Sequence, residues 1–400
     1  MKILLSILLF ALAAGMACGA GEMRIQQQFI EYFAQRAPGT AGVKKLQHSL
    51  RADGTWTDID YTSRRRGEWP TRKHLDRLRT MATAYADPAS ELYRQDGLKA
   101  AVLRGLEHWI KKDYQNPNWY NARIGVPDRL GCALVLMGDA VPDAMLEEAR
   151  PILYRSELGM TGQNKVWCAG IGIMKGVLYA DQALLERAVQ DIWSELQVST
   201  GEGIQPDWSF HQHGPQQQFG NYGKSFGDDM IQWASILRGT AYALSGDKLD
   251  ILRNYLLEGP SWVLWNGRMD LSGCGRQVDQ GCQQSKARSI LRQLDGMKAI
   301  DPEYAAAYDA THERVGFNAF WRSEMAVQRR PDWYASVKMS SKRVIGSESC
   351  NSENMLGLHL GDGVLLTYVE GDEYEDIMPL WDWKRLPGTT CDQGLDDLTP

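Results

Sequence analysis

Histidine and phenylalanine are scarce in this 400-residue chain, with 7 His and 8 Phe against 14 Trp and 16 Tyr. So few imidazoles confine imidazole chemistry to a handful of places, and two of them, His211 and His213, share one loop. The excess of Trp and Tyr over Phe fits sugar binding, because these rings stack on sugar faces and also carry a polar group. A Trp-rich core accounts for most of the 14 Trp. A basic excess is also missing. The formal net charge is −6, so no global positive field draws in nucleic acid, and an anionic partner needs a locally positive groove. Beyond residue 14 no apolar run is long enough to cross a bilayer, which excludes membrane insertion there. The cysteine spacings match no zinc pattern. No exact repeat of fixed period occurs, which argues against a short-repeat solenoid.

Residues 1–20 read as a signal peptide: Lys2, an apolar run from Ile3 to Ala14, and the small-residue region Ala17-Cys18-Gly19-Ala20. Cleavage after Ala20 gives an exported chain, periplasmic or secreted. A lipid-modified Cys18 is the less favoured alternative, since the preceding residues fit a lipobox poorly. Six cysteines follow: Cys132, Cys168, Cys274, Cys282, Cys350 and Cys391. An oxidising compartment permits disulfides. Cys274 and Cys282 are close enough in sequence to pair across a loop, while Cys132 and Cys168 sit in apolar stretches and read equally well as buried thiols.

Helical spacing of apolar residues runs from Met23 to Arg36 and through two stretches between Thr71 and Lys112, broken at Asp87-Pro88, with Thr71 as a cap. It resumes over Leu130–Met137, Asp143–Glu157, Val166–Tyr179, Gln182–Leu196, Asp228–Leu244, Lys248–Leu257, Gln284–Leu294 and Pro302–His312. Short connections between them predict antiparallel helical hairpins. The Arg64-Arg65-Arg66 run reads as a solvated face. No strand pattern precedes about Trp333. Thereafter Trp333–Met339, Met355–Leu360 and Val364–Val369 read as strands, with Gly361-Asp362-Gly363 as a hairpin-type turn. The acidic cluster Asp372, Glu373, Glu375 and Asp376 around Tyr374 offers oxygen ligands for a structural Ca²⁺, but without EF-hand spacing, and a solvated turn is the plainer reading.

The stretch from Gln205 to Tyr222 organises the rest. It holds His211 and His213 among Pro206, Pro215, Gly214 and Gly220, and its aromatics Trp208, Phe210, Phe219 and Tyr222 show no helical period. A long polar loop between helices is a common carrier of binding and catalytic groups. Phe210-His211-Gln212-His213-Gly214-Pro215, with Tyr222 nine residues after His213, resembles the polysaccharide lyase family of chondroitin AC lyase, hyaluronan lyase and xanthan lyase. The resemblance covers most of residues 110–390. It implies a mainly α fold, an incomplete α/α toroid followed by the start of an antiparallel β-sandwich. The domains expected are a leader (1–20), a toroid (21–330) and the beginning of a sandwich (331–400), which is shorter than the family's.

The resemblance also implies an activity: β-elimination from a uronic-acid polysaccharide, a glycosaminoglycan such as chondroitin or hyaluronan. By it, Tyr222 is base and acid in turn, and His213 assists. Asn164, in Thr161-Gly162-Gln163-Asn164-Lys165, faces the substrate carboxylate. Arg276 lies beside the tyrosine and lowers its pKa. Glu353, in Ser352-Glu353-Asn354, orients this group, with Glu348 five residues earlier. Trp119 and Tyr120, before Ile124-Gly125-Val126-Pro127, take the place of cleft-lining rings. Gln280 stands where the family often has a second Arg, with Arg268 and Lys286 as nearby cations. No cofactor is required, and a monomer is expected. The chemistry is coherent, because a phenol with a pKa of about 10 needs a nearby positive charge to act as base, and amide and imidazole groups can stabilise the developing negative charge. Alternatives are a lyase on another acidic polymer such as xanthan, a non-catalytic carbohydrate-binding fragment, and a toroidal glycoside hydrolase. The last needs a carboxylate pair, for which Asp207, Asp228 and Asp229 are candidates. Trp208, Trp233 and His211 read as structural.

Overall fold

The computed structural model describes residues 23–36 and 39–400. The signal-peptide reading and Cys18 lie outside the described residues. The chain divides into two compact units: unit 1 is Met1–Met160, Trp167–Ile192 and Ser235–Ala243, and unit 2 is Thr161–Val166, Trp193–Ala234 and Leu244–Pro400.

Unit 1 is helical. It contains α1 (23–34), α2 (Thr40–Ser49), α3 (Lys73–Ala86), α4 (Asp96–Lys112), α5 (Val126–Met137) and α6 (Asp143–Leu153). It also holds the part of α7 (Gly162–Tyr179) from Trp167 and of α8 (Gln182–Glu195) as far as Ile192. In α4 the buried residues Leu98, Ala101, Val102, Gly105, Leu106 and Trp109 form one stripe at helical spacing. That stripe meets α3, which also packs on α5. Gly105 sets the approach, since a Cβ there would lie 2.5 Å from Leu78 Cδ2. The break at Asp87-Pro88 is real: Asp87 is extended, as a residue before proline prefers. Thr71 is not the cap. Its hydroxyl donates to the Asp60 carbonyl at 2.9 Å, and α3 begins after Arg72 with no side-chain cap. Cys132 and Cys168 are buried free thiols, and the arginine run 64–66 is exposed.

Unit 2 contains α9 (Lys224–Ile236) as far as Ala234, α10 (Gly246–Glu258), α11 (Cys282–Ile300) and the short α12 (Ala305–Asp309). Two small hairpins pair β1 (Gly203–Ile204) with β2 (Phe210–His211) and β3 (Leu264–Trp265) with β4 (Arg268–Met269). A four-stranded antiparallel sheet follows, with β5 (Gly316–Phe320), β6 (Met325–Arg329), β7 (Tyr334–Lys338) and β8 (Val364–Tyr368) as neighbours in chain order. Alternation along β6 and β7 puts Met325, Val327, Tyr334 and Ser336 on the buried face, joined by Val364, Leu366 and Tyr368 of β8. That face carries one buried acid: Asp270 accepts from Tyr334 at 2.6 Å and from Tyr368 at 3.1 Å.

Three expectations are corrected. Strands begin at Gly203, and the main sheet at Gly316, before Trp333. Met355–Leu360 is not a strand: its end enters a 3₁₀ turn, Leu358–Gly361. Gly361-Asp362-Gly363 therefore links that turn to β8 and closes no hairpin.

Phe320 in β5 is fully buried and packs edge-on against Phe219, centroids 5.1 Å apart. Removing it empties that contact beneath the segment carrying Tyr222. Phe320→Ala is expected to cost about 3–5 kcal/mol in urea unfolding, and a change under about 1 kcal/mol would contradict this packing account.

Candidate active site

The loop after β2 enters the left-handed region at His213, φ 61°. One acid secures that conformation. Glu202 accepts from the backbone N–H of His213 at 2.8 Å, from Gln212 Nε2 at 2.5 Å and from Thr161 Oγ1 at 2.5 Å. The chain then passes through a wide π-type turn, Phe219–Gly223, directly before α9, and this turn carries Tyr222. Gly220 permits it, because a Cβ there would sit 2.7–2.8 Å from backbone atoms of Cys274 and Gly273. The rings of His213 and Tyr222 lie 4.8 Å apart at 61°.

Glu348 and Arg276 complete the cluster. Glu348 accepts from His213 Nδ1 at 2.5 Å, from Gln218 Nε2 at 2.9 Å and from Arg276 Nη1 at 2.8 Å. Arg276 also donates through Nε to Glu353 at 2.9 Å. Its guanidinium carbon lies 5.6 Å from the centre of the Tyr222 ring. The loop bearing both acids folds back on itself through Asn351, Ser352 and Asn354, all at positive φ. Asn354 Nδ2 pins it by donating to the Glu348 carbonyl at 2.9 Å.

Burial and charge compete at each of these groups. Burial disfavours ionised Glu348, but the His213 hydrogen bond and the Arg276 charge outweigh it and hold the carboxyl down at about 2. At Arg276, burial opposes the charge and Glu348 with Tyr222 restores it, for a net rise. At Tyr222 burial wins. The phenol is pushed up although Arg276 pulls it down. Arg276 thus acts in the expected direction, but the net shift is the reverse of the one expected. Because Glu348 stays ionised it can only accept, so Nδ1 of His213 carries the hydrogen of this bond, and in the neutral imidazole Nε2 is then the acceptor.

Asn164 sits in the first turn of α7, half-buried. That turn is tied to the His213 loop, since Gln163 N–H donates to Gln212 Oε1 at 2.9 Å. Glu353 touches Arg276 and Gln277, so the acid that meets His213 is Glu348. Gln280 is exposed. The two cations considered as substitutes for a second Arg are otherwise engaged. Lys286 is buried, with Nζ 2.5 Å from the carbonyls of Cys274 and Gln277, and Arg268 pairs with Glu375 at 2.9 Å. In unit 1, Trp119 is exposed and edge-on to Tyr120 at 6.4 Å, and Tyr120 lies edge-on to Trp167 at 5.2 Å.

His211 is structural: it is buried, bonded to Ser323 at 3.0 Å, and pushed down to about 4 by burial. Trp233 is core and Trp208 half-buried. The hydrolase candidates are taken up by the fold. Asp207 binds Ser209 and the Arg322 N–H, Asp228 binds Ser289 and Gln293, and Asp229 receives Gln163. The acidic cluster is also engaged by protein donors. Glu373 accepts the N–H groups of Val369, Glu370 and Gly371, Glu375 pairs with Arg268, and Asp376 accepts from Gly281. Among the described residues no group of three or more His, Cys, Asp and Glu is placed to hold a metal ion, and no helix is long and apolar enough to cross a membrane. Sequence reasoning missed Glu202, Gln212 and Gln218. Only Gln212 carried a signal, its place between the two histidines.

Two family descriptions match the chain: "Polysaccharide lyase family 8, N terminal alpha-helical domain" over residues 18–313, and "Polysaccharide lyase family 8, super-sandwich domain" over residues 315–399. Chondroitinase-AC of Pedobacter heparinus is 30% identical over 98% of this chain and 58% of its own length. Xanthan lyase of a Bacillus species is 24% identical over 85% of this chain and 43% of its own. A solved chondroitinase AC lyase superposes with a TM-score of 0.83 at 27% identity, covering 94% of this chain and 59% of that one. The chain therefore spans less than two thirds of the length of each. The fold class agrees with the expectation: mainly α, an incomplete toroid followed by the start of a β-sandwich.

The Glu348 carboxyl lies far below the roughly 4.3 of an unfolded glutamate. Its ionised form thus stabilises the fold above about pH 4, and that contribution fades as pH falls towards about 2. Glu348→Gln is expected to flatten this acid limb by up to about 3 kcal/mol in urea titrations at stepped pH. An unchanged limb would place the acid sensitivity elsewhere.

Proposed function

Since this chain belongs to polysaccharide lyase family 8, we propose that it cleaves a uronic-acid-containing glycosaminoglycan, chondroitin or hyaluronan, by β-elimination. The observation that carries this is the convergence of His213 and Arg276 on Glu348, with Tyr222 packed against both. An imidazole with one nitrogen fixed as acceptor and a guanidinium meet on one half-buried carboxylate, and the phenol ring lies beside both. The 30% identity to a protein named chondroitinase-AC supports the substrate class.

The proposed steps need only proton transfers. Tyr222 passes its proton to Nε2 of His213, which Glu348 holds as an acceptor. The phenolate, facing Arg276, removes the C5 proton while Asn164 binds the uronate carboxylate. The C5–H electron pair becomes the C4–C5 double bond and the bond from C4 to the glycosidic oxygen breaks. Tyr222 then hands the same proton to the departing oxygen. Phenolate with imidazolium carries the same net charge as the neutral pair, so Arg276 only has to favour the internal transfer. This offsets the upward push of burial on the phenol. Glu353 positions Arg276. Trp119 and Tyr120 are proposed to stack on sugar rings and Gln280 to hydrogen-bond a sugar hydroxyl. A polysaccharide is the partner, and the chain is proposed to act as an exported monomer, on the evidence of Lys2 and the apolar run 3–14. Xanthan-like polymer is the second substrate reading, supported by the 24% identity to a xanthan lyase.

Chondroitin, hyaluronan and xanthan are each incubated with purified protein and followed by ultraviolet absorbance. A rise from the conjugated unsaturated uronate is expected with a glycosaminoglycan. A flat trace on all three, from folded protein, contradicts the reading. Tyr222→Phe is expected to abolish the absorbance rise while polymer binding stays nearly intact. In His213→Ala, kcat/KM at neutral pH is expected to fall by at least about 100-fold and to climb in proportion to hydroxide, because solvent must then ionise the phenol. A pH profile matching the wild type would remove His213 from that role.

A further inference from the structure

Cys274 and Cys282 bracket the loop that carries Arg276. Cys274 ends the 3₁₀ turn Leu271–Gly273, and Cys282 is the first residue of α11. Both side chains are buried, at 0% and 3% exposure, and both are free thiols near enough for each to perturb the other's ionisation. The intervening residues 275–281 include exposed Gln277, Asp279 and Gln280. The loop's turns rest on Gly275 at φ +74° and Gly281 at φ +70°. Lys286, one turn into α11, reaches under the loop to the carbonyls of Cys274 and Gln277 and to Asn221 Oδ1 at 3.2 Å.

We propose that Cys274 and Cys282 are a disulfide site, closed by a disulfide-bearing oxidant into a staple across the Arg276 loop. Two neighbouring buried thiols at the ends of one short, partly exposed loop need little rearrangement to join, whereas Cys132 and Cys168 lie in helices α5 and α7. The exchange balances. Cys282 loses its proton to solvent, and its thiolate attacks one sulfur of the oxidant, releasing one thiol. Cys274 then loses its proton, and its thiolate attacks the Cys282 sulfur of the mixed disulfide, releasing the second thiol. Two protein thiols give up two electrons, and one small disulfide becomes two thiols. Cys282 is the better first nucleophile. The interaction with Cys274 favours its thiolate against the opposing effect of burial, and the nearby Lys286 ammonium adds to that preference. Bonded, the two ends of the loop cannot separate, so the backbone bearing Arg276 keeps its place even when the Lys286 contacts loosen.

The full chain is incubated with oxidised glutathione, alkylated in denaturant without reductant, and peptide-mapped by mass spectrometry. The expected product is a Cys274–Cys282 cross-linked species two hydrogens lighter, with Cys132 and Cys168 alkylated. Thermal unfolding is followed in parallel. The oxidised chain is expected to melt higher than the dithiothreitol-treated chain, and Cys282→Ser is expected to lose that difference. Recovery of both cysteines alkylated, or as two separate glutathione adducts, overturns the proposal. Neither readout uses lyase activity, so this inference and the functional proposal fail independently.

Discussion

The carboxylate of Glu348 is the point on which the site depends. A buried charge is costly unless it is paired and hydrogen-bonded. Glu348 meets that demand with an imidazole, an amide and a guanidinium, all within 2.9 Å. Each donor comes from a different part of the chain: His213 from the loop after β2, Gln218 from the entrance to the π-type turn, Arg276 from the loop before α11. Satisfying one acid therefore fixes three segments at once. The cost is carried by the backbone of the acid's own loop, where Asn351, Ser352 and Asn354 adopt positive φ. Bonds from Asn354 to Ser347 and to the Glu348 carbonyl hold it there.

Tyr222 shows why that arrangement matters for chemistry. An isolated phenol so buried would be a poor base, and Arg276 alone does not reverse the effect of burial. The proposed pairing with His213 changes the question. What counts is the energy of moving a proton between two adjacent groups, not the energy of losing it to solvent. In the proposed transfer Glu348 enters twice. It stabilises an imidazolium through Nδ1, and it anchors the guanidinium facing the phenol. A neutral residue there would weaken both ends of the transfer together.

Much of the helical layout was legible, because α3, α4, α5 and α11 keep apolar residues at helical spacing and the break at Asp87-Pro88 is a local steric rule. The strands before Trp333 were not. The outer face of β5 and β6 carries Phe317, Ala319 and Ala326, so apolar residues fall on both faces and the period of two is blurred. His213, Tyr222 and Arg276 were found through resemblance, and the structure brings them together. Glu348 and Glu353 could not be ranked from sequence. Both lie in one irregular loop, and which acid meets His213 depends on three positive-φ residues with no pattern of their own. The burial of Lys286 was equally hidden, since its partners are backbone carbonyls.

The burial of Lys286 bears on substrate charge. Two carboxylates, Glu348 and Glu353, contact the one guanidinium of Arg276. The charge at that point is therefore more than neutralised before a polyanion arrives. Gln280 adds no cation, Lys286 is turned into the fold, and Arg268 is matched by Glu375. Attraction to a densely sulfated chain would need more positive charge at this point than these side chains supply. In the proposed mechanism, recognition of the uronate then rests on a neutral donor, the amide of Asn164, which binds the carboxylate by geometry more than by field. On this argument the proposed enzyme favours polymers of low charge density, with unsulfated hyaluronan or chondroitin ahead of their heavily sulfated relatives.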